Sequence, residues 1–73
     1  MPYPNEHSAR IKRPKKDARY WRRNLDDGLG VILMDGNVQS IRFNVGYWTS
    51  KDAKKYLRDA GWKVLKFEEA QES

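Results

Sequence analysis

Three neighbours near the start of the chain, Glu6, His7 and Ser8, carry a carboxylate, an imidazole and a hydroxyl, the groups of acid–base and nucleophilic work. That chemistry needs the groups to converge at hydrogen-bond range, which adjacent residues rarely do. They lie in "PYPNEHS", a proline-flanked stretch with no predicted rigid element beneath it, so a turn capped by Asn5 is expected. No glycine-rich strand-to-helix loop is present to cradle a phosphate chain. The chain has no cysteine and one histidine, too few for the roughly four Cys/His ligands of a structural zinc site. A non-enzymatic protein without cofactor or metal is the expectation.

The second set of chemically capable residues is larger. Arg10, Lys12, Arg13, Lys15, Lys16, Arg19, Arg22 and Arg23 stand before residue 24 against only Glu6 and Asp17, a surplus of six positive charges. Residues 24–73 hold seven Lys/Arg and eight Asp/Glu, so a nearly neutral body carries a basic arm. Charge asymmetry of this kind points to nucleic acid or another acidic partner, because each cation can neutralise a phosphate and release a counterion. Tyr20 can add a stacking surface for an unpaired base. Tyr20 and Trp21 otherwise read as core aromatics, and Trp21 is expected to be buried. Lys51, Lys54, Lys55 and Arg58 form a weaker basic stripe, diluted by Asp52 and Asp59 as a solvated helix face would be.

The elements behind these residues can be read from pattern. Leu29–Met34 is a short apolar run, and residues 38–45 alternate, with Ile41, Phe43 and Val45 on one side. Asp35-Gly36 between them marks a hairpin, since glycine takes positive φ without steric cost. A two-residue loop would set Gly30 and Ile32 beside Ile41 and Phe43. A three-residue loop, Asp35-Gly36-Asn37, sets Leu29, Val31 and Leu33 there and buries more, so it is preferred.

Thr49 then caps a helix with Asp52 three residues on, and Trp48 before the cap can fold over Ala53. Ala53, Tyr56, Leu57 and Ala60 make one helical stripe. Gly61 ends the helix, with Trp62 placed to pack back on Leu57. Residues 63–67 alternate again as a last strand, with Leu65 and Phe67 on one side, and residues 68–73 are expected to fray.

These elements predict an α+β domain over residues 25–73: a ββαβ unit with a three-stranded antiparallel sheet. The most apolar strand belongs in the centre, which gives the order second, first, third, with the helix on one face. Tyr20, Trp21 and Leu25 remain to cover the other face. Residues 1–24 form the basic arm, folded at its C-terminal end and loose before that. At 73 residues such a domain buries only about 60% of its unfolded surface, so the apolar core must be well made. No stretch approaches the ~20 apolar residues of a membrane span, and no apolar segment follows a charged start as in a secretory signal. A soluble protein inside the cell is expected.

"YPNEHSARI" followed by Pro14 resembles the opening of a family of short proteins and segments encoded by tailed bacteriophages and prophages. Members often begin Tyr-Pro-Asn-Glu-His. They continue with a glycine-containing hairpin, a strand like "QSIRF", an aromatic-Thr pair opening an Ala-rich helix, and a last strand near "FEEA". Here these are residues 3–11, residues 39–43, Trp48-Thr49 and residues 67–70. The resemblance implies a phage protein, and some members sit near head-assembly and maturation-protease proteins. Where the family usually has an acidic residue before the proline, this chain has Arg13, then Lys15 and Lys16.

Together these readings predict a small phage-encoded binding protein acting in the host cytoplasm. Its basic arm would engage nucleic acid or a host nucleoprotein complex, an anti-CRISPR inhibitor of a defence nuclease being one concrete form. The alternative is a structural or assembly module of the phage head that works through protein–protein contacts.

Overall fold

The computed structural model describes residues 5–70. In chain order the elements are β1 (Glu6–Arg10), β2 (Tyr20–Asp26), β3 (Leu29–Met34), β4 (Asn37–Asn44), α1 (Ser50–Asp59) and β5 (Lys66–Glu68). The strands form one sheet in the order β2-β3-β4-β1-β5, with every neighbouring pair antiparallel. The expected three-stranded ββαβ sheet is thereby corrected to five strands. Two of them come from before residue 27, and the expected boundary at residue 24 falls inside β2.

The physical reason lies in how these two strands are buried. β1 reads EHSAR, with Ala9 as its one apolar residue, yet it is inserted between β4 and β5 and pairs on both sides. Small side chains at Ser8 and Ala9 let it sit there, and His7, Ser8 and Ala9 are all buried. β2 is the opposite case, an edge strand exposed along its whole length. Instead of folding over the second face, Tyr20, Trp21 and Leu25 extend the sheet sideways. Trp21 is 47% exposed, so the expectation that it belongs to the core is corrected. β3 is interior, as its apolar run demands, but its outer neighbour is β2. The last strand, β5, pairs with β1 instead.

The β3–β4 hairpin settles the register question in an unforeseen way. Met34 faces Asn37 across a two-residue loop, with Asp35 at φ 51° and Gly36 at φ 87°. Two consecutive positive φ values define the turn whose twist suits a hairpin. Leu29 nevertheless faces Phe43, and Val31 faces Ile41. A β-bulge reconciles the two: Ile32 faces Ser40 and Leu33 faces Val38, which leaves Gln39 as the extra residue. The favoured apolar face is right and the three-residue loop is wrong. A second Asp-Gly turn, Asp27-Gly28, joins β2 to β3. Gly28 has φ 69°, and a Cβ there would stand 2.6 Å from the Tyr47 side chain.

The helix has the predicted cap and stop, while of the predicted stripe Ala53 and Leu57 are buried, Tyr56 is half-buried and Ala60 is exposed. Thr49 is extended, and its Oγ1 accepts the Asp52 N–H at 3.1 Å. At the other end Gly61 has φ 80°, with Gly61 N–H donating to the Arg58 carbonyl and Trp62 N–H to the Leu57 carbonyl. That is a Schellman closure. Ala53 and Leu57 are buried in a cluster with Ala9, Leu29, Val31, Ile41 and Phe43. Trp48 stacks edge-on against Phe43 and Tyr56 at centroid distances of 5.1 and 5.5 Å, closing the core beside the cap.

The last strand is shorter than expected. Leu65 is exposed, while Val64 and Phe67 pack on the core. Residues 68–70, expected to fray, are held. Glu68 pairs with Ser8, and the Ala70 N–H donates to His7 Nδ1 at 2.9 Å. His7 is thus no turn residue: it lies inside β1, stacks on Phe67 at 6.0 Å and holds the backbone at Ala70. Residues 1–4 and 71–73, including Tyr3, lie outside the described residues. Among the described residues no helix is long and apolar enough to cross a membrane.

Leu57, 3% exposed at the centre of the helix–sheet contact, supplies the stability test. Leu57→Ala should destabilise the protein by roughly 2–5 kcal/mol in chemical unfolding, the range of buried leucine truncations. A loss below about 0.5 kcal/mol, typical of surface sites, would mean the helix packs by another face.

Candidate nucleic-acid interface

β1 ends and β2 begins at the Asp35-Gly36 end of the sheet, with β4 and β3 between them. Residues 11–19 must therefore cross two strand ends as a strap, and the sequence fastens them at three points. At the start, the bulge carbonyl of Gln39 accepts both the Ile11 and Lys12 N–H groups, at 2.8 and 3.1 Å. The Gln39 side chain donates back to the Lys12 carbonyl at 2.9 Å. In the middle, the Tyr20 hydroxyl accepts the Lys15 N–H at 2.8 Å and donates to the Lys15 carbonyl at 2.6 Å. At the end, Asp35 Oδ1 accepts the Arg19 N–H at 3.1 Å, and the Asp35 N–H donates to the Arg19 carbonyl at 3.0 Å.

This fastening separates the nominated residues into groups. Lys12, Arg13, Lys15, Lys16 and Arg19 are brought together on the strap, all exposed and, among the described residues, without an ion pair. Tyr20 spends its hydroxyl on the strap backbone, which makes it the peg that shapes the basic segment. Arg23 is exposed on β2 opposite Val31, on the helix side of the sheet. The remaining two are engaged within the fold. Arg10 reaches Glu68 at 3.8 Å, and Arg22 holds Glu6 in a two-pronged hydrogen bond, one arm of which measures 3.0 Å.

The Arg22–Glu6 fork organises the sheet face opposite the helix. Arg22 is on β2 and Glu6 on β1, so the guanidinium reaches across β3 and β4. It passes over Gly30, where a Cβ would stand 3.2 Å from Arg22 Nη2. The hydrogen bond from Arg22 holds the Glu6 carboxyl below its ordinary value of 4.5 against the opposing effect of burial, and the Arg22 and Arg42 charges add to the lowering. The same hydrogen bond raises Arg22. Ser40 and Arg42 share this face, with Arg42 Nε donating to Ser40 Oγ at 3.3 Å. The nominated set lacked Arg42, Ser40 and Gln39. The alternation of "QSIRF" was the available signal, because it turns Ser40 and Arg42 away from the face of Ile41 and Phe43.

A depressed carboxyl contributes stability that is full above its unfolded value and is lost as pH falls through its folded one. Glu6→Gln should therefore be less stable at neutral pH by about 0.2–1 kcal/mol, as ion pairs reached by solvent are. The deficit should vanish below the folded-state value of Glu6. Thermal melts of both proteins across pH 2–7 read this, and a pH-independent deficit would mean the carboxyl is not held ionised by Arg22.

Against known protein families, curated proteins and solved structures, the chain matches none.

Proposed function

We propose that this protein binds nucleic acid, or a host complex built on nucleic acid, through the basic strap of residues 11–19. The observation that carries this is the anchoring: five cations that make no ion pair among the described residues stand on a backbone fixed at three points. A tail that only confers solubility gains nothing from a tyrosine peg and a bulge carbonyl holding its backbone. A phosphate-binding element gains preorganisation, because less conformational entropy is lost when the cations meet their phosphates. Trp21, half exposed at the end of the strap, offers an indole face to an unpaired base.

The opening motif supports a phage origin and hence action in the host cytoplasm, where a defence nuclease is one nucleoprotein target. No enzymatic step is part of this reading. Within the described part of the motif the side chains serve the fold: Glu6 holds Arg22 and His7 holds Ala70.

Lys12, Arg13, Lys15 and Lys16 changed together to Gln should leave the fold intact, since none of these side chains makes an ion pair among the described residues. Fluorescence anisotropy with labelled duplex DNA should show weaker binding. The slope of log affinity against log salt should become shallower by up to about 0.9 per lost phosphate contact. Unchanged affinity and slope would refute the reading and leave a protein-docking role, as in head assembly, to be tested.

Trp21→Ala is the companion measurement. It should cost less stability than the about 3–5 kcal/mol of a core tryptophan. On a single-stranded probe it should lose ~1–3 kcal/mol of affinity if the indole stacks.

A further inference from the structure

On the sheet face away from the helix, at the foot of the strap, lies a polar pocket of about 190 Å³. Its floor is made by two buried hydroxyl residues, Ser8 and Ser40, at 7% and 2% exposure. Two guanidinium groups, Arg10 and Arg42, line it together with Pro14 of the strap and Glu68 of β5. The ladder explains the grouping: Ser8 faces Arg42 and Arg10 faces Ser40 across the β1–β4 pair, so each serine leaves a gap beside an arginine. The volume is below the roughly 300–1,000 Å³ of pockets that enclose drug-sized molecules, and suits a small anion.

We infer that this pocket seats a single phosphodiester group, gripped by Arg10 and Arg42 with the Ser8 and Ser40 hydroxyls beneath it. Guanidinium forks and hydroxyl donors are the groups that hydrogen-bond phosphate oxygens. Arg10 already lines the pocket, and its ion pair with Glu68 is a loose one: the side chain is 41% exposed and the contact is 3.8 Å, beyond direct hydrogen-bond length. Glu68 sets the charge state accepted. A carboxylate in the wall repels each further negative charge, so a monoanionic diester is favoured over a dianionic monoester or free phosphate. The inference deepens the nucleic-acid reading and rests on it for the source of the diester. The strap would gather the strand's phosphates and the pocket would fix the register of one.

The test is a ¹H–¹⁵N titration of the full chain with the dinucleotide TpT, which carries one phosphodiester and no terminal phosphate. Saturable shifts at Ser8, Arg10, Ser40 and Arg42 are expected. Arg10→Gln should weaken TpT binding about tenfold, the loss of one charge-assisted contact. In the Glu68→Gln protein, inorganic phosphate at about pH 8, where the dianion dominates, should gain affinity while TpT changes less. The inference is overturned if TpT gives no saturable shifts, if the shifts fall on residues 12–19 instead, or if Arg10→Gln binds TpT as the unaltered protein does. A fourfold strap variant that keeps its duplex affinity would overturn the broader reading instead, which the pocket shifts from TpT report on separately.

Discussion

One residue of slack in β4 governs much of the molecule. The Asp35-Gly36 turn admits two loop residues, and the apolar faces of β3 and β4 require Leu29 and Val31 to lie opposite Phe43 and Ile41. A regular ladder cannot satisfy both, because a one-residue shift moves every side chain to the opposite face. The bulge at Gln39 absorbs the difference. The Gln39 carbonyl lies on the β1 side of β4, where it continues the ladder past the Arg10–Ser40 pair, takes two N–H groups and launches the strap. The residue that absorbs the register difference is thus also the one from which the basic segment departs.

The two faces of the sheet are held by different physics. Under the helix the contact is apolar and closes on the Phe43, Trp48 and Tyr56 rings. The other face has no second layer, and it is made habitable by hydroxyls and by charges that lie flat across it, above all the Arg22–Glu6 fork over Gly30. Ile32 and Met34 of β3 also belong to this face, and Met34 is buried. The edge at β2 is likewise managed by charge: a two-fold antiparallel pairing about its middle would set Arg23 against its own copy, and like charges directly opposite are destabilising.

What the sequence made legible follows from where its signals are local. The helix announces itself through a cap, a stripe and a glycine stop, each decided within a turn or two. The β3–β4 hairpin is equally local, apart from its bulge. β1 is not legible from alternation, because EHSAR is buried by being small and doubly paired. β2 is not legible because an exposed edge strand, YWRRNLD, has the composition of a basic arm. Its one readable sign was Asp27-Gly28, a second hairpin signal between an aromatic run and an apolar one. The charge count found the strap but could not tell which arginines were already engaged: Glu6 meets Arg22 only because the sheet brings together residues sixteen apart in sequence.

The insertion of β1 between β4 and β5 has a consequence for the order of events when the chain folds. Both two-residue hairpins, β2–β3 and β3–β4, close short loops at little entropic cost and form on local information. β1 has no such neighbour. Ala9 meets Ile41 across 32 residues of chain and Phe67 across 58, so the closures made by β1 are far longer than those of either hairpin. Until β1 docks, β4 is an open edge carrying Ile41 and Phe43, and β5 has no strand to join. On these chain separations the docking of β1 is expected to follow the hairpins, joining residues 6–10 to residues 40–44 and 66–68 around Ala9, with His7 fastening Ala70. A chain caught before β1 docks would present β4, with Ile41 and Phe43, as an open edge on which another chain could pair.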